Sequence, residues 1–127
     1  MERVLTEAYS GIDDRRRLVI RDAEALRKFW ADATTNRLPA PEVPAVDFEN
    51  EMVIAASMGR RGTGGYGIEI ETVSQVGEEL RVVVVETAPG EGCFLTQALS
   101  APVVAVKVPR SAATVRFEER TVTQDCN

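Results

Sequence analysis

The chain has 127 residues, 44% of them hydrophobic and 28% charged, with a formal net charge of −5 and a pI near 4.8. That length suits one domain with a core of its own, and the apolar content excludes a disordered body. The acidic balance excludes a nucleic-acid or anionic-membrane surface, each of which needs a concentrated basic face, and no apolar run reaches the ~18 residues of a membrane span.

The opening Met1-Glu2-Arg3-Val4 lacks the basic-then-apolar order of a secretory leader. This leaves two readings open, a cytoplasmic protein or the mature part of an exported one. Residues 3–10 have strand character, 11–15 read as a turn and 17–21 as a returning strand, so residues 1–21 form an N-terminal β unit. Asp22 can cap a helix, and Glu24 suits its positive end. Leu26, Phe29, Trp30 and Ala33 recur at helical spacing, with Arg27, Lys28 and Asp32 outside, which predicts one amphipathic helix over 22–35. Trp30 at that spacing is expected in the core.

Residues 36–50 carry Pro39, Pro41 and Pro44, which predicts an extended crossing laid along the body rather than a second helix. Asp47 is placed to cap a turn there. From residue 51 to 127 the period is two. Met52, Ile54, Ala56 and Met58 share one face, and Tyr66, Ile68 and Ile70 alternate with Gly67, Glu69 and Glu71. Residues 74–78 read as a hairpin turn into 80–87, whose Val82-Val83-Val84-Val85 predicts a central strand covered on both faces. Further strands are expected at 94–98, 103–108 and 115–123. The expected architecture is mainly β (α+β): an antiparallel sandwich or barrel of about seven to eight strands with one packed α-helix, a single domain over 1–127.

The stretch Gly59-Arg60-Arg61-Gly62-Thr63-Gly64-Gly65-Tyr66-Gly67 is the most informative. Its Gly62-x-Gly64-x-x-Gly67 spacing matches a dinucleotide fingerprint, but that fingerprint works only where the glycines open a helix. The alternation after Tyr66 announces a strand instead, so the match carries no cofactor. A plain long β-connection is one reading of the segment. The other is a docking loop in which Arg60, Arg61, Thr63, Gly64 and Gly65 present Tyr66 as an aromatic anchor. An anion site built from the two arginines and the glycine amides is a third.

The Thr63-Gly64-Gly65-Tyr66 turn with its following Ile-Glu-Ile strand resembles the C-terminal domain family of the protease complex subunit PrcB. The 82–85 valines with Glu86 and Pro89, then Cys93, Ala101-Pro102 and Val108-Pro109, extend that resemblance over about 46–108. Gly62 departs from it, standing where the family pattern carries a proline. The resemblance implies a non-catalytic domain that assists a partner protease outside the cytoplasm. Thr63, Gly65 and Tyr66 are also similar to a loop of chagasin-type cysteine protease inhibitors, which implies an inhibitor as an alternative.

Two cysteines, Cys93 and Cys126, are present. Their spacing leaves a bridge and two free thiols equally open, and the extracytoplasmic location implied by the resemblance favours the bridge. No ligand spacing for a metal is found, and no cofactor is expected. With no histidine and only Lys28 and Lys107 as lysines, a nucleophile has no evident base, and the carboxylate pair Glu69 and Glu71 reads as a solvated outer face. The sequence therefore predicts a protein-binding accessory module and not an enzyme. Its alternatives are a small-molecule or anion-binding β-domain, and a structural domain forming homo-oligomers through an exposed strand edge.

Overall fold

The computed structural model describes residues 1–126. Among them are seven strands and one helix: β1 (Glu2–Glu7), β2 (Arg15–Ile20), α1 (Ala23–Ala33), β3 (Glu51–Met58), β4 (Gly67–Val76), β5 (Glu79–Pro89), β6 (Val103–Pro109) and β7 (Thr114–Gln124). They form a four-stranded sheet of order β1-β6-β3-β2 and a three-stranded sheet of order β4-β5-β7. Neither closes, so the fold is an open sandwich and not a barrel.

Two cores explain this layering. Met52, Ile54 and Ala56 of β3 with Val104, Val106 and Val108 of β6 face Ile68 and Ile70 of β4 and Leu80, Val82 and Val84 of β5. The alternate residues Val53, Ala55, Val103 and Ala105 turn the other way and pack against Leu26, Phe29, Trp30 and Ala33 of α1. The order is thus helix, four-stranded sheet, three-stranded sheet. β3 and β6 are the strands buried on both faces, as their near-continuous apolar runs require.

The helix begins where expected. The Asp22 carboxylate accepts from the Ala25 amide at 2.8 Å, and Thr34 closes the C-terminal end on the Trp30 carbonyl. Trp30 is buried, and its Nε1 donates to the Pro41 carbonyl at 2.9 Å, so the proline-rich crossing is laid along the helix, with Val46 and Phe48 packed on the same core. Asp47 does cap a turn, accepting from the amides of Glu49, Asn50 and Glu51.

Four expectations need correction. β2 does not return along β1: β6 and β3 lie between them, because strands apolar on both faces claim the centre of the sheet. β5 is central in its own sheet, but its second face is only partly covered: Val85 is buried there and Val83 half-buried. Residues 94–98 form no strand. They cross from one sheet to the other, since β5 already has a partner on each edge, and Phe94 stands fully exposed. Finally, β5 and β7 pair in parallel, because the chain visits the other sheet as β6 between them.

Candidate functional site

The glycine-rich loop joins β3 to β4 at one end of the sandwich, and residues 90–102 lie against it. Arg61 and Ser100 exchange backbone hydrogen bonds of 2.7 and 2.9 Å. The Ser100 hydroxyl donates to the Thr63 carbonyl, and the Gly64 amide donates to the Thr96 carbonyl at 2.9 Å. The bend at Gly62 is therefore held from outside. Gly65 has φ +92°, and a side chain there would press on Leu95 and Pro89, so the position suits only glycine.

Tyr66 is half-buried, its inner part packed on the core between the sheets. The Arg61 guanidinium lies 5.5 Å from the ring centroid, within cation–π range. Arg60 is exposed but engaged elsewhere, donating to the Asp13 carboxylate at 3.0 Å. The two arginines therefore diverge: one stacks on the tyrosine and the other reaches the turn before β2. Thr63 is half-buried, Gly64 buried and Gly65 exposed. The sequence-predicted residues are contiguous in space, with Arg61, Gly65 and Tyr66 at the surface of one feature and Arg60 at its margin.

A second loop contributes that the periodicity of the sequence does not reveal. Phe94 is fully exposed and Leu99 largely so, and no charged residue occurs between Glu91 and Lys107 in a chain otherwise rich in charge. That uncharged run was the available signal. Cys93 and Cys126 are bridged, with their Cα atoms 5.0 Å apart. The parallel register of β5 and β7, ending at Pro89 opposite Gln124, brings the two thiols to one place. The Gly90 amide donates to the Gln124 carbonyl at 2.8 Å just before the bridge.

Residues 52–109 match the family described as PrcB C-terminal. This stretch, a little under half of the chain, is similar to that family. The matched segment runs from β3 to the end of β6, so it contains both loops and the strands that hold them, while β1, β2, α1 and β7 lie outside it. No curated protein and no solved structure matches the chain.

Cys93, Lys107, Glu69 and Glu71, the candidate catalytic groups of the sequence, each have a partner. The cysteines are tied to each other. Lys107 lies 3.0 Å from Glu2, and the hydrogen bond to that carboxylate raises its pKa, the opposite of an activated amine. Glu69 pairs with Arg3, and Glu71 with Arg120. Among the described residues no group of three or more cysteine or carboxylate side chains is placed to hold a metal ion.

Proposed function

We propose that the chain is a non-catalytic protein-binding module that docks through the 59–67 loop, as an accessory to a protease outside the cytoplasm. The observation that carries this reading is the construction of the loop. A glycine-rich bend is clamped by Ser100 and Thr96, and it holds Tyr66 half out of the core under the Arg61 guanidinium. Order established before binding lowers the entropy cost of association, and aromatic and arginine side chains are the usual anchors of protein interfaces. The name of the matched family supports a protease-complex setting, and the Cys93–Cys126 bridge suits an oxidising compartment.

The test is co-purification from the native host with the tagged full chain and with Tyr66→Ala. A protease retained by the parent and lost by the folded variant supports the reading. Equal retention by both, or retention of no protein by the parent, overturns it.

A further inference from the structure

The two sheets have unequal flanks. On one, β1 of the four-stranded sheet and β4 of the three-stranded sheet run as neighbouring edges, and each is paired with a strand on its other side only. Between them lies a groove of about 350 Å³, bounded by Thr6 and Glu7 of β1 and by Tyr66, Gly67, Ile68 and Glu69 leading into β4. Direct contact across it is the Arg3–Glu69 ion pair at 3.2 Å, which is largely exposed and so holds the edges together weakly. A strand edge carries backbone donors and acceptors that pair readily with another extended chain.

Gly67 supplies an independent observation. Its φ is negative or extended, and a Cβ at this position would meet nothing within 4 Å. Neither backbone geometry nor internal packing calls for glycine at the first residue of a strand, where glycine weakens pairing. A glycine of this kind leaves room for another backbone to approach closely. The charged residues lining the groove are Glu7 and Glu69, both carboxylates, and their exposed partners Arg37 and Arg3 lie outside it.

We propose that the groove between β1 and β4 binds an extended segment of a partner protein, which pairs with the free edge of β4 and sets a lysine or arginine against Glu7 and Glu69. Tyr66 and Ile68 supply the apolar wall for the residue on the alternate face. This rests on the docking reading above and deepens it: the loop is the end stop of a strand-addition site. It also disfavours an anion in the groove, because the carboxylates would repel it.

The probe is a display library of random heptapeptides, selected against the full chain with its disulfide intact. Enriched peptides should alternate β-branched or aromatic residues with Lys or Arg. Binding of a synthetic enriched peptide should slow amide hydrogen exchange at residues 66–70. Gly67→Val should weaken that peptide at least tenfold while leaving the melting temperature unchanged or raised, since the added side chain has open space and favours a strand. Should this variant fail to fold, Glu69→Lys at an exposed site gives the same tenfold loss by charge reversal. No enriched peptide, no exchange protection, or full affinity in a folded variant overturns the proposal. The two readings separate cleanly. A protein partner lost by Tyr66→Ala but kept by Gly67→Val and Glu69→Lys removes strand pairing and leaves loop docking standing.

Discussion

The two flanks of the sandwich solve the same problem in opposite ways. Where β2 of one sheet meets β5 and β7 of the other, Arg17 donates to Glu86 at 2.6 Å and to Glu119 at 2.7 Å, and Arg15 reaches the same two carboxylates at 3.1 Å. The Arg17 guanidinium also donates to the carbonyls of Arg16 and Ser57, and its side chain is only 12% exposed. Where β1 faces β4 there is a groove and the exposed Arg3–Glu69 pair. Multiple charge-assisted bonds, of which the Arg17–Glu86 pair is shielded from water, weld one flank, while a solvated pair leaves the other free to open. The weld lies on the flank away from the groove, and unpaired strand edges remain beside the groove.

The sharpest way to break this comparison is at the disulfide, which pins the end of β7 on the welded flank. Replacing Cys93 and Cys126 together by serine should cost about 3–4 kcal/mol, from the denatured-state entropy of a loop closed across a separation of 33 residues. Chemical denaturation of the paired variant checks it. Next, Arg17→Ala leaves the shielded Glu86 without its closest partner and should cost about 2–3 kcal/mol. A loss below about 0.5 kcal/mol, the usual yield of an exposed ion pair, would mean the flank is no more welded than its opposite.

Acid sharpens the contrast. The hydrogen bond from Arg17 holds the Glu119 carboxyl below its usual range, against the opposing effect of burial. A carboxylate that binds its proton less readily when folded stabilises the protein above the unfolded pKa, near 4.5, and that contribution is lost as pH falls through the lowered value. Melting curves from pH 6 to pH 3 should therefore show the advantage of the parent over Glu119→Gln shrinking as acid is added. The smallest effect is expected on the open flank. Glu69→Ala should change stability by no more than about 0.5 kcal/mol, as measured in the same denaturation assay.

How much of this was legible in the sequence depends on the range of the interaction that decides it. The helix was, because Asp22 caps it through a bond three residues away and its buried stripe is Leu26, Phe29, Trp30 and Ala33. The β4–β5 hairpin was also legible, since Gly77 and Glu78 sit between two strands of period two. The 59–67 loop could be singled out by composition, but not the clamp from Thr96 and Ser100, which are more than thirty residues downstream of their partners. Residues 94–98 have a strand-like apolar content, yet β5, the strand they follow, already has a partner on each side. The four-valine run promised a doubly covered strand, whereas that place went to β3 and β6, whose alternate faces meet the helix and the second sheet.

The sequence by itself determined the β-rich class, the amphipathic helix and the glycine-bearing turn, because each depends on residue type and on spacing within a few positions. Tertiary structure alone decided the order of the strands, the parallel pairing that joins Cys93 to Cys126, the arginine weld and the groove beside Gly67. These arise where segments distant along the chain compete for the same buried faces and the same edge hydrogen bonds, and local periodicity records that a face is apolar without recording what will cover it.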